Sequence, residues 1–138
     1  MKSVLFLLIS LVLFYSCEKS ADIIANADVL GKWKLVQVLA DPGDGSGQFR
    51  NVDNDISIVF HSDGTVSSNG MLCNISIVPD GEYYGTYSLN DSTITPDGCP
   101  YPQTKLSFEI TGNYMIIHYP CIEACRSRFK KVDNYFDH

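Results

Sequence analysis

Apolar and polar residues alternate along most of this chain with a period of two. Ile56, Ile58 and Phe60 alternate with Ser57, Val59 and His61. Leu106, Phe108 and Ile110 alternate with Lys105, Ser107 and Glu109. Successive side chains of a strand point to opposite faces, so each apolar set lines one face of a β-strand. The same reading makes strands of residues 31–39, 65–68, 83–89, 92–95, 114–119 and 126–132. The breaks between them carry turn chemistry: Ser62-Asp63-Gly64, Asn90-Asp91 and Thr111-Gly112-Asn113. Asp-Gly is a strong hairpin signal because both residues tolerate the backbone that a tight turn requires. The pattern thus predicts eight strands, roughly ten residues apart, and an all-β barrel or sandwich. Only residues 22–30 have helical character, as a short N-terminal helical lead-in. Residues 42–47, Pro-Gly-Asp-Gly-Ser-Gly, read as one long flexible loop.

The first residues depart from this pattern. Lys2 is followed by an apolar run over 4–15 that only Ser10 interrupts. Twelve residues of helix span about 18 Å, too short for a bilayer core of roughly 30 Å. Residues 1–16 read as a secretory signal peptide. Ordinary cleavage prefers a small residue at −3, where Phe14 stands. Leu13-Phe14-Tyr15-Ser16-Cys17 instead resembles a bacterial lipobox, with Phe14 where Leu is usual. On that reading Cys17 is lipidated and residues 17–28 are a tether. The domain follows over 29–133, and 134–138 is a tail. The expected location is the bacterial cell envelope, as an outer-membrane lipoprotein.

Gly31-Lys32-Trp33, at the start of the first strand, is similar to the Gly-x-Trp signature of lipocalins. Phe60-His61-Ser62-Asp63-Gly64-Thr65 and Gly85-Thr86-Tyr87-Ser88-Leu89 resemble turns of short bacterial lipocalin-like lipoproteins. Arg126-Ser127-Arg128-Phe129-Lys130-Lys131-Val132 is similar to their closing strand. The resemblance covers residues 29–133 and implies an eight-stranded antiparallel up-and-down barrel. Gly31 and Trp33 then belong to its closed end. A late-strand arginine, Arg128 with Arg126 as the alternate, packs over the indole; such a cation–π contact is worth about 0.5–2 kcal/mol. The resemblance makes this pair structural rather than catalytic. It also implies a non-catalytic monomer that binds a small apolar molecule at the barrel mouth. The alternative is a protein-interaction module: a protease inhibitor, or an accessory or structural envelope lipoprotein with a filled barrel. The span is short for a large-cavity lipocalin.

Five cysteines are many for 138 residues, and the count is odd. Lipidation of Cys17 leaves four. In an up-and-down meander, successive loops alternate between the two ends. Cys73, Cys99, Cys121 and Cys125 then all fall on one rim. Export permits disulfides, and four cysteines allow three pairings. Cys73–Cys99 with Cys121–Cys125 joins neighbouring loops and staples a short one. Cys99–Cys121 with Cys73–Cys125 also joins loops of that rim.

Composition narrows the chemistry. A hydrophobic fraction of 45%, with eight Tyr and seven Phe, argues against disorder. A formal charge of −6 argues against nucleic acid, which needs clustered cations. The acid pairs Asp41/Asp44 and Asp53/Asp55 do not match the EF-hand loop and read as surface acidity. Cys121-x-x-x-Cys125 lacks the His pair of a zinc site, and no metal or cofactor is expected. No nucleophile elbow, His-Glu-x-x-His pair or phosphate loop occurs, so no catalytic residue is assigned. Most tyrosines fit wall packing. Tyr101 differs, because Cys99-Pro100-Tyr101-Pro102 is a stiff rim loop that presents it as a ligand contact.

Overall fold

The computed structural model describes residues 28–132. The signal segment, Cys17 and its tether, most of the helical lead-in, and the 134–138 tail lie outside the described residues. Asp28 and Val29 are helical. Nine strands follow among the described residues: β1 (Gly31–Ala40), β2 (Arg50–Asn51), β3 (Ser57–Phe60), β4 (Thr65–Ser68) and β5 (Tyr83–Ser88), then β6 (Thr93–Pro96), β7 (Leu106–Thr111), β8 (Tyr114–Tyr119) and β9 (Cys125–Lys131). Among the described residues, no helix is long and apolar enough to cross a membrane.

From β3 onward the strands pair antiparallel in sequence order, and β9 returns to β1. The sheet closes into a barrel and keeps no long free edge. Residues 31–34 of β1 pair with β3, while Gln37 and Val38 pair with β2. Two hydrogen bonds continue that seam: Leu35 N–H donates to Ile56 O (3.0 Å), and Val52 N–H donates to Val36 O (3.1 Å). So β2 and β3 act as one interrupted strand, and the barrel has eight antiparallel walls. The sequence pattern missed β2 because two residues show no alternation.

Alternation places the core. Trp33 and Leu35 of β1, Ile58 and Phe60 of β3, Val66 of β4 and Ile94 of β6 are buried inward. Leu106, Phe108, Met115, Ile117 and Phe129 complete the lining. Phe60 meets Tyr87 and Phe108 edge-on, with ring centroids 5.1 and 5.7 Å apart. An eight-stranded barrel is just wide enough for side chains to fill, and here they do. Gly85 lets β5 approach β6: a Cβ there would lie 2.6 Å from the Thr95 carbonyl oxygen. Val29 is fully buried at the base, and its carbonyl accepts the Trp33 Nε1–H at 2.8 Å.

The cation beside Trp33 is not Arg128. Lys131 Nζ lies 5.2 Å from the indole centroid and donates to Asp28 O at 2.7 Å. The cause is strand parity. Ser127 and Phe129 are buried inward on β9, so Lys131 shares their face, and Lys131 is also the register partner of Trp33. Arg126 and Arg128 stand on the opposite face. The register shifts between Leu35 and Gln37, setting Arg128 opposite Gln37. Its guanidinium stacks 4.0 Å from the Phe49 ring and donates to Gln37 Oε1 at 2.6 Å.

The 41–47 segment is more ordered than its glycines suggest. Asp41 Oδ1 accepts the backbone N–H groups of Gly43, Asp44 and Gly45, and Oδ2 accepts that of Gly47. These bonds, led by those of Gly43 and Gly47, hold the Asp41 carboxyl below its ordinary value of 3.8.

Candidate ligand site at the barrel mouth

The β4–β5, β6–β7 and β8–β9 connections meet at the end of the barrel away from Trp33. Their cysteines pair there as Cys73–Cys99 and Cys121–Cys125, which excludes the crossed alternative. The first bridge ties two loops together across 26 residues of chain, and the second closes a loop across four. All four cysteines therefore share one rim.

Between these loops lies a concavity of about 480 Å³. Met71, Cys73 and Asn74 come from the β4–β5 loop, and Tyr83 from the start of β5. Asp97, Gly98, Cys99, Pro100, Tyr101 and Thr104 come from the β6–β7 loop, and Pro120 from the β8–β9 loop. Gly98 has φ +71°, a backbone that a larger residue rarely adopts, and it turns the chain off β6 into the bridge. The Asp97 amide donates to Tyr84 O at 2.9 Å, fixing this turn to β5. Tyr101 is 78% exposed. Thr104 anchors its turn twice: backbone N–H and Oγ1 both donate to Tyr101 O, at 3.1 and 2.8 Å. Tyr101 thus stands exposed at the rim, on a loop tied down at Cys99.

Burial and the nearby Asp80 carboxylate both raise the Tyr83 phenol, so it stays neutral at physiological pH. Burial pushes Tyr119 up to about 12, tempered by a hydrogen bond from Ser127. Neither tyrosine offers a phenolate for chemistry.

Other candidate groups are engaged elsewhere. Asp41 is occupied by four backbone donors and Asp44 by Ser46, while Asp55 pairs with Lys34 at 3.3 Å. His61 Nε2 lies 2.9 Å from Ser67 Oγ on the outer wall. Ser67 is mid-strand, paired with both Val59 and Tyr84. His118 meets Glu109 at 3.2 Å on the outer wall.

Met71, Tyr83, Asp97 and Pro120 escaped the sequence reading. Tyr83 was legible as an aromatic strand residue, but its alternation pointed to wall packing. The other three lie in connections without periodicity, and only barrel closure brings them together.

The fold and this lip define an up-and-down β-barrel sealed at its base by Trp33 and open at its stapled mouth. A family model described as a lipocalin-like domain matches residues 29–117. That is more than half of the chain, which therefore belongs to the lipocalin-like domain family. The matched span ends within β8, so β9, the strand that closes the barrel on β1, lies beyond it. The family consists mainly of non-catalytic binding proteins. Neither a curated protein nor a solved structure matches this chain.

Proposed function

We propose that this protein is a non-catalytic binding lipoprotein of the bacterial cell envelope, held at the outer membrane through lipidated Cys17, whose barrel mouth takes a small apolar ligand. One observation carries the binding half: the concavity of about 480 Å³ walled by Met71, Tyr83, Pro100, Tyr101 and Pro120. Small-molecule sites are concave, mostly apolar and about 300–1,000 Å³ in volume. The barrel axis below is filled, so the ligand rests between the loops. The Cys73–Cys99 bridge fixes those two loops relative to one another, which lowers the ordering cost of binding. The anchoring half is supported by the apolar run, Ser16 and Cys17 of the sequence. Native mass spectrometry of the protein extracted from its source membranes tests the binding half. A small molecule that stays bound to wild type and is lost from Tyr101→Ala is expected. Adduct-free wild-type protein that also takes up nothing from a lipid extract of the same cells would end the proposal.

A second reading has its own observation. Ile122 is fully exposed at the tip of the loop closed by Cys121–Cys125. A rigid apolar knob of this kind suits a pocket on a partner protein. Crosslinking from position 122 in intact cells tests it. One specific crosslinked band, absent in Ile122→Asp, supports a partner. A pattern unchanged by that substitution rejects it.

A further inference from the structure

The mouth concavity has a charge bias that its apolar walls do not require. Asp97 is the one charged side chain among its described lining residues; Lys, Arg and His are missing from the lining. No hydrogen bond or ion pair to the Asp97 carboxylate occurs among the described residues. The aromatic residues of the same lining are Tyr83 and Tyr101. Two cations of β9 are engaged away from the mouth: Arg128 stacks on Phe49 outside the wall, and Lys131 sits at the base by Trp33.

These facts discriminate between ligands of equal apolar size. A carboxylate entering here would lose water beside a like charge and gain no counter-ion. A neutral head would lose little and gain little. A cationic head meets one carboxylate and has two tyrosine rings within the same lining, and both kinds of group attract it. The whole chain carries −6, which favours the approach of cations over anions.

We propose that the mouth selects ligands with an apolar body and a positively charged head, of the alkylammonium class, over carboxylates of the same length. This rests on the reading of the mouth as a ligand site. The probes are hexyltrimethylammonium, hexanol and hexanoate, each titrated into the mature chain carrying Cys17→Ser. The Met71 methyl resonance reports occupancy, and calorimetry gives the affinity. Hexyltrimethylammonium is expected to bind about tenfold tighter than hexanol, from one ion pair plus cation–π contact. Hexanoate is expected to bind more weakly than hexanol. Asp97→Asn should cost the ammonium about threefold to fivefold relative to hexanol measured on the same variant. If hexanoate matches the ammonium, or if Asp97→Asn leaves the ammonium unaffected, charge selection is refuted while the mouth remains a ligand site. If none of the three probes shifts Met71, the ligand-site reading falls and takes this inference with it.

Discussion

Trp33 shows how much one residue organises. It is fully buried, its Nε1–H reaches Val29 O at 2.8 Å, and its ring carries the Lys131 ammonium at 5.2 Å. It is also the sole tryptophan, so its fluorescence reports this contact alone. Lys131→Met should move the emission maximum, because a fixed charge beside the indole is removed. Arg128→Met should leave it in place, since that side chain stacks on Phe49 outside the barrel. The opposite pattern would overturn the assignment. Asp41 makes a second residue-scale argument. Its lowered carboxyl value means the four backbone bonds favour the ionised form. The stabilisation is complete above the ordinary value of 3.8 and disappears as pH falls through the lower folded-state value. Hydrogen-exchange protection at Gly43, Gly45 and Gly47, measured relative to intrinsic rates, should therefore be present at neutral pH and lost only in strong acid. Asp41→Ala should abolish this protection at every pH, and protection that survives the substitution would show that other contacts hold the loop.

At the scale of elements, the rim staples differ in expected weight. Closing 26 residues of chain constrains the unfolded state more than closing four. Loop-closure entropy gives about 3.5 kcal/mol for Cys73–Cys99 and about 2 kcal/mol for Cys121–Cys125. Thermal melts of Cys73→Ser/Cys99→Ser and Cys121→Ser/Cys125→Ser should rank in that order. An equal loss, or a reversed one, would mean that native contacts outweigh chain entropy here. The two bridges also act on different surfaces. The first sets the mouth that faces the proposed ligand, and the second sets the exposed Ile122 knob. Losing the first should weaken ligand uptake, whereas losing the second should leave uptake intact. Elsewhere β1 works as the hinge of the architecture. It pairs with β9 along one edge and with both β2 and β3 along the other.

On the scale of the molecule, the barrel stands with Trp33 and both described chain ends at its base and the stapled mouth at the other. The proposed lipid on Cys17 precedes Asp28 in the chain, and Asp28 lies at the base beside Lys131. Cys17→Ser should shift the protein from the membrane to the soluble fraction, and mass spectrometry of the wild type should find acyl chains on Cys17. A mature N-terminus elsewhere, or a variant still bound to membranes, would refute the anchor. The sequence by itself determined the eight walls of the barrel and their inward faces, though not the two-residue β2. Alternation is local, and a period of two leaves a buried residue like Phe129 only one face to occupy. The same parity placed Lys131 inward, although a family pattern pointed to Arg128. Turn chemistry at Asp63-Gly64 and the cysteine geography of a meander were local or topological too. Only the tertiary structure decided which inward cation meets Trp33, because that depends on the register between β1 and β9. It alone assembled the mouth from Met71, Tyr83, Asp97 and Pro120. Those residues lie on separate segments, and three of them sit in connections without period. Their meeting is a consequence of the sheet closing on itself.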